Sequence, residues 1–354
     1  MSVQPDGAAV AASFVRNAWY VLARSEQIAR TPHALMVCGE PLVLYRTEAG
    51  QPVALQDRCP HRLVPLSLGR LLGDAIQCAY HGITFDCSGR CVHIPGDTRD
   101  PERLPAAFDV PAYLVREAHG YVWGWLGDTD LGRAASLPRY TGLLDSAGWE
   151  SVYGYMPIQA DVRLIVDNLL DLSHEATLHP NTIGNAAVGE SPARTSVFDD
   201  RIEVERLMPD CAPPAMFARA AGFTGNIDRH QRVIFTPPSS VCVEVRATPA
   251  GEPDSPRRLE WYVHHLLTPE TATSSHYHFA LARSFALGRE EVSEVLLKGA
   301  QQTIAEDHAM LEAQQRALAL APLESRRLHT PFDGAPTAGR KMVEKLLARE
   351  QQGG

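Results

Sequence analysis

The feature that most constrains this chain is a pair of short segments, Cys59-Pro60-His61-Arg62 and Cys78-Ala79-Tyr80-His81-Gly82, each supplying one thiol and one imidazole. The spacing is C-x-H, then sixteen residues, then C-x2-H. Apolar, strand-like runs bound both segments, so two loops can meet at one metal site. A structural zinc site is the alternative, but its ligands usually come as C-x2–4-C and H-x3–5-H pairs. The seven Cys are an odd number without dense spacing, which argues against a disulfide framework and for reduced thiols or metal ligands. Cys87 and Cys91 form a C-x3-C without nearby partners and are assigned no metal.

At roughly 100–200 residues per domain, 354 residues make about two domains. The chain is 45% hydrophobic and 21% charged, the balance of an ordinary soluble protein. Its 33 basic and 42 acidic residues leave a net charge of −9, which opposes attraction to phosphate backbones and anionic membranes. Neither nucleic acid nor membrane is expected as a partner. No apolar run approaches the length of a membrane span, and Asp6 precedes any basic residue, unlike a secretory signal. A cytoplasmic protein is expected.

Residues 1–13 are small and polar and are expected to form a mobile tail. Short β-rich runs fill 14–135, and the turn-rich stretch after Leu137-Pro138 marks a junction. Residues 136–354 mix patterns: a helical run around 160–174, strand-like runs near 231–247 and 257–284, and a long helix from about Arg289. The fold class expected is α+β. The Gly-, Ala- and Pro-rich loops 181–195 and 209–229 are candidate gates. Neither GxGxxG nor GxxxxGK[ST] occurs, so there is no sign of a nicotinamide, flavin or ATP site in the chain itself.

A second constellation lies in DNLLDLSHEATLHP (167–180), which carries His174 and His179. Five residues on an α-helix turn through about 140°, so these imidazoles share a metal only if the helix ends or distorts between them. Pro180 helps, because the residue before a proline is pushed out of α geometry. A facial triad with two imidazoles needs one carboxylate. In the long helix Leu296, Ala300, Ile304, Leu311 and Leu318 form an apolar stripe with Asp307 near its centre. A buried carboxylate there needs a cation, whereas Glu306 is expected on the opposite, solvated face.

The first constellation resembles the Rieske [2Fe–2S] motif, in which two thiolates hold one iron and two imidazoles the other. Respiratory Rieske proteins carry an extra Cys pair; here those places hold Val64 and Tyr80, which favours the lower-potential oxygenase and ferredoxin branch. With His174, His179 and Asp307 added, the whole pattern resembles the Rieske nonheme-iron oxygenases. The segments RNAWYV (16–21), TPET (268–271) and EDHAMLEAQQ (306–315) resemble the vanillate and dicamba O-demethylase subgroup. That resemblance implies an N-terminal Rieske domain, a C-terminal helix-grip domain holding mononuclear Fe(II), and a homotrimer. It also implies electrons from NAD(P)H through a separate reductase, with or without a ferredoxin, and use of O₂ on a small aromatic substrate. Asp171 matches the position that bridges one subunit's cluster to the next subunit's iron, and lies where it could hydrogen-bond His174. Asn168 is a candidate pocket residue, as are Arg163, His264 and His265 for substrate, one of the two adjacent His facing inward. The implied reaction is O-demethylation of a methoxylated aromatic acid. Ring or methyl hydroxylation is the alternative, and a Rieske electron carrier a distant one.

Overall fold

The computed structural model describes residues 14–143, 147–320 and 328–352; the expected mobile tail, 1–13, lies outside them. Among the described residues the strands form three antiparallel sheets. The first contains β1 (Trp19–Arg24), β2 (His33–Val37), β3 (Glu40–Arg46) and β4 (Pro52–Gln56). The second is small: β5 (Arg70–Leu72), β6 (Ala75–Gln77), β7 (Thr84–Phe85) and β8 (Cys91–His93). The chain then returns to the first sheet as β9 (Ala112–Ala118) and β10 (Tyr121–Trp125), giving the order β1-β10-β9-β4-β3-β2. Leu42, Val43, Leu44 and Tyr45 of β3 are all fully buried, because both faces of that strand are covered.

After helix α1 (Thr129–Ala134) comes β11 (Glu150–Ile158), then three short helices: α2 (Val162–Leu170), α3 (Glu175–Leu178) and α4 (Ala186–Glu190). Next come β12 (Arg194–Val197), β13 (Ile202–Cys211), α5 (Ala215–Ala221), β14 (Ile227–Thr236), β15 (Ser240–Pro249), β16 (Leu259–Thr271) and β17 (Ser274–Arg283). These strands make a seven-stranded sheet, β11-β17-β16-β15-β14-β13-β12. The long α6 (Glu290–Leu320) lies across it, and α7 (Gly334–Gln352) closes the chain. The mixed α+β class is therefore observed. Leu296, Ala300, Ile304 and Leu311 of α6 join the large apolar core above the sheet, each buried Leu or Ile side chain adding about 1.5–3 kcal/mol.

Hydrogen bonds join the first sheet to the seven-stranded one. Cys38 N–H donates to Pro269 O (2.8 Å), Gly39 N–H to Glu270 O (2.9 Å), and the Thr268 hydroxyl to Val21 O (2.7 Å). Helix α7 ties both units: Val343 packs on both apolar clusters, and Glu350 accepts the Arg16 and Asn17 N–H groups. No described helix is long and apolar enough to cross a membrane.

Candidate metal centres and cavity

Cys59 follows β4 and Cys78 follows β6, and the two loops close by the same pattern. Cys59 N–H donates to Val64 O and Leu63 N–H to Cys59 O; Cys78 N–H donates to Ile83 O and Gly82 N–H to Cys78 O. Leu63 and Gly82 thus occupy equivalent places, and both are left-handed, with φ of 61° and 74°. Glycine adopts that conformation freely, whereas leucine pays a steric cost. The loops bring the two thiols side by side and buried, while the rings of His61 and His81 stand exposed with centroids 4.5 Å apart. Burial, and then the adjacent Cys78 thiol, push Cys59 up to about 11, so positive metal is needed to hold it as thiolate at neutral pH. Two buried sulfurs and two outward imidazoles fit a cluster with unequal irons. Tyr80, beside His81 and 59% exposed, sits in the outer rim.

The second centre is assembled by a break in helical structure. Helix α2 ends at Leu170, earlier than the sequence pattern suggests. The Asp171 carboxylate accepts from Ser173 N–H (2.8 Å) and the Ser173 hydroxyl (2.6 Å), an Asx turn that redirects the chain. One turn of α3 follows, with His174 at its start and His179 at its end, where φ of −115° and ψ of 40° leave α geometry. Gly184 closes the turn by donating to His179 O (2.9 Å); a Cβ there would lie 2.2 Å from Glu175 O. The two imidazoles then face one carboxylate: Asp307 Oδ1 is 3.1 Å from His179 Nε2 and 3.5 Å from His174 Nε2. All three ligand atoms lie within 4.8 Å of one another. His174 Nδ1 bonds Asp171 O and His179 Nδ1 bonds Glu306 Oε2 (2.8 Å), which leaves both Nε2 lone pairs for a metal. The donor set fits nonheme iron with open coordination positions.

Several expectations need correction. Glu306 is not solvated on the far face: α6 crosses the α3 turn so that Glu306 and Asp307 both meet it, Glu306 also receiving Gln302 Nε2 (3.1 Å). Asp171 touches His174 through its backbone carbonyl, because its carboxylate is used in the Asx turn. Arg163 does not line the cavity at His174, His179 and Asp307; it pairs with Asp161 at the N-terminus of α2 and is 57% exposed. His264 faces the opposite side of β16, donating from Nε2 to Thr141 O (2.9 Å), and burial lowers it to about 4. Asn168 does reach the centre, its amide donating to Asp307 Oδ1 (3.0 Å).

His265 is the inward neighbour. It lines a cavity beneath α6, together with His174, His179, Asp307 and a largely apolar wall that includes Leu169, Phe217, Val245 and Trp261. Burial lowers His265 to about 3, so the ring is neutral, and the buried Tyr277 hydroxyl is hydrogen-bonded to its Nδ1 (2.7 Å). With the hydroxyl as donor, Nε2 carries the proton and is the donor available to the cavity. The candidate gates are not open loops: 181–195 contains α4 and the start of β12, 209–229 contains α5, and Ile183, Met216 and Phe217 from them line the cavity. Glu306, Tyr277 and the buried Arg229–Glu175 pair were not visible as site residues, since only the crossing of α6 over α3 and the sheet register bring them in.

Glu306→Ala is expected to weaken iron binding at His174, His179 and Asp307 about 10–100-fold by freeing the His179 ring, with the cluster intact. Competition against a graded series of chelators measures it, and unchanged affinity would remove this role.

The Rieske [2Fe-2S] domain family matches residues 18–113, and the vanillate O-demethylase oxygenase C-terminal domain family matches 158–349. A vanillate O-demethylase oxygenase subunit of Pseudomonas sp. (strain HR199 / DSM 7063) is 36% identical, covering 96% of each chain. The toluene-4-sulfonate monooxygenase system iron-sulfur subunit of Comamonas testosteroni is 34% identical over 96% of this chain and 99% of its own. The crystal structure of dicamba monooxygenase bound to 3,6-dichlorosalicylic acid superposes with a TM-score of 0.89 at 31% identity, covering 96% of this chain and 99% of that one. With both domain families present in order and relatives matched nearly end to end, the chain belongs to the Rieske nonheme-iron oxygenases, in the group that shares the vanillate O-demethylase oxygenase C-terminal domain.

Proposed function

We propose that this protein is the terminal oxygenase of a multicomponent monooxygenase that O-demethylates a methoxylated aromatic acid. Residues 14–135 serve as the Rieske domain and 136–354 as the catalytic domain. Cys59, His61, Cys78 and His81 hold the [2Fe–2S] cluster; His174, His179 and Asp307 hold the mononuclear iron. When bound, these groups supply one-electron transfer and O₂ activation, respectively. Electrons come from NAD(P)H through a separate reductase, with or without a ferredoxin, and Asp171 connects one subunit's cluster to its neighbour's iron in a homotrimer.

The observation that carries the reading is the meeting of His174, His179 and Asp307 at the wall of a largely apolar cavity. The apolar wall excludes water and takes an aromatic ring. Asn168 holds Asp307 by its amide, and His265 Nε2–H offers a neutral hydrogen bond to a substrate oxygen. Overall, methoxyarene, O₂, NAD(P)H and a proton give a methyl-hydroxylated hemiacetal, water and NAD(P)⁺. The hemiacetal then collapses to phenol and formaldehyde.

Aerobic turnover of iron-loaded protein with a surrogate reductase and NADH, over a panel of methoxybenzoates, tests this. Formaldehyde equal to substrate consumed is expected, and absence of substrate-dependent O₂ uptake across the panel would overturn it. A second reading, hydroxylation of a methyl or ring carbon, draws on the similarity to the toluene-4-sulfonate monooxygenase subunit and predicts hydroxylated product without formaldehyde. Tyr277→Phe is expected to raise KM about tenfold, with iron content unchanged, because His265 loses the hydroxyl that sets its tautomer. Steady-state kinetics beside an iron assay check this, and an unaltered KM would dismiss the role.

A further inference from the structure

The cavity holds a guanidinium that the metal chemistry does not use. Arg229, on β14, lines it and is 2% exposed. Its Nη1 donates to Ile183 O (2.9 Å), and its Nη2 lies 3.2 Å from both Glu175 Oε2 and Gln231 Oε1. Its Nε has no partner among the described residues. A buried donor left unpaired is costly, and in native proteins such a donor nearly always has a protein, water or ligand partner.

Gln231 Nε2 also donates to Glu175, so that carboxylate is shared. A second buried guanidinium, Arg206, lies within electrostatic reach of Glu175 and Arg229; it donates to Leu172 O (2.9 Å), and its Nε too is unpaired among the described residues. Arg206 also lies within reach of Asp171, so each guanidinium has a carboxylate nearby, and what is left over at both is the unpaired Nε–H donor.

Sheet register separates this group from His265. Phe235, Val241 and His265 lie in one cross-strand row, and Arg229, Ala247 and Leu259 in another. Arg229 is six residues along β14 from Phe235, roughly 20 Å at about 3.3 Å per residue, and two strands away from β16. His265 feels Asp307 electrostatically, whereas Arg229 reaches the cavity beside Glu175 from another part of the same sheet face.

Resting on the reading of the site as an aromatic-acid oxygenase, we propose that Arg229 anchors the substrate's carboxylate or sulfonate through its unpaired Nε–H. The ring then spans the cavity with its reacting methyl or methoxy group toward His174, His179 and Asp307. The preferred substrates accordingly carry the reacting group meta or para to the anion rather than ortho.

Binding to the full-length protein as purified, followed by calorimetry and by the fluorescence of cavity-lining Trp261, tests this without turnover. The probes are 4-methoxybenzoate, 4-methoxybenzenesulfonate, 2-methoxybenzoate and the neutral methyl 4-methoxybenzoate. At least one 4-substituted anion is expected to bind about tenfold or more tightly than the ester and the 2-isomer, as a charge-assisted hydrogen bond implies. The tighter of the two anions identifies the headgroup class. Arg229→Lys keeps a cation beside Glu175 but removes the Nε–H from its place; it is expected to erase most of that preference while leaving ester affinity within about twofold. Equal binding of acid and ester by the unaltered protein, preference for the 2-isomer, or equal weakening of acid and ester by Arg229→Lys would overturn the proposal and leave Arg229 a structural partner of Glu175. The ester comparison needs no variant, so it decides even where Arg229→Lys fails to fold. Formaldehyde release without an acid preference would remove Arg229 alone. An acid preference with hydroxylated product would remove O-demethylation alone.

Discussion

Asp307→Ala is expected to lower the iron-to-labile-sulfide ratio from about three to two to about two to two, abolish substrate-dependent O₂ uptake, and leave the visible and EPR signature of the cluster unchanged. The physical reason lies in how the site is divided. Asp307 Oδ1 is the one carboxylate oxygen facing both His179 Nε2 and His174 Nε2, so its loss leaves two neutral imidazoles, too few to hold Fe(II) against water. The proposed cluster ligands sit on loops after β4 and β6, with their own closing hydrogen bonds and their own apolar cluster around Val43, Leu55 and Phe85. The side-chain change also removes a buried charge that otherwise depends on Asn168 and the two imidazoles, so the fold is not expected to suffer. Metal analysis beside labile-sulfide determination reads the outcome. A third iron retained in the variant would show that the mononuclear site is elsewhere.

Asp171→Asn is expected to keep both iron and sulfide at the unaltered protein's level and to slow turnover by at least about tenfold. Asparagine retains the carbonyl oxygen that accepts from Ser173 N–H and hydroxyl, so the Asx turn and the start of α3 survive. What is lost is the charge at a half-buried position, where Oδ2 has no partner among the described residues and the side chain lines a surface groove with Asn168 and Lys341. Single-turnover reaction of the reduced protein separates the explanations. Slow cluster reoxidation with unchanged substrate affinity supports the bridging role, whereas fast reoxidation would remove it. Asp171→Ala is a poorer probe, because it also breaks the turn that sets His174.

The two centres were legible in the sequence to different depths. The C-x-H and C-x2-H loops were readable because each is local: Cys and His lie within one turn, and hydrogen bonds between residues four and five apart close it. Only the meeting of the loops is tertiary. His174, His179 and Asp307 were readable from an incompatibility, two imidazoles on the wrong helical phase before a proline and an acid on an apolar stripe. The phase argument predicted that the helix ends between the two His, and α3 does end at Leu178 with His179 out of α geometry; the additional break before His174, at an Asx turn, is one that a periodicity reading cannot see.

Glu306 shows the limit from the other side. Helical phase sets it about 100° from Asp307, which reads as solvent, yet α6 crosses α3 so that both acids touch His179. Likewise, strand alternation stated that one of His264 and His265 points inward, but only the placement of α6 over one face of β16 chose His265. The chain's composition and local motifs determined its class, its two metal centres and its division into a β-rich and a mixed half, because those depend on residue identity at short range. The Tyr277–His265 hydrogen bond, the support of His179 by Glu306 and the unpaired Nε of Arg229 were decided by tertiary structure alone, because each depends on elements whose crossing or register no local pattern encodes.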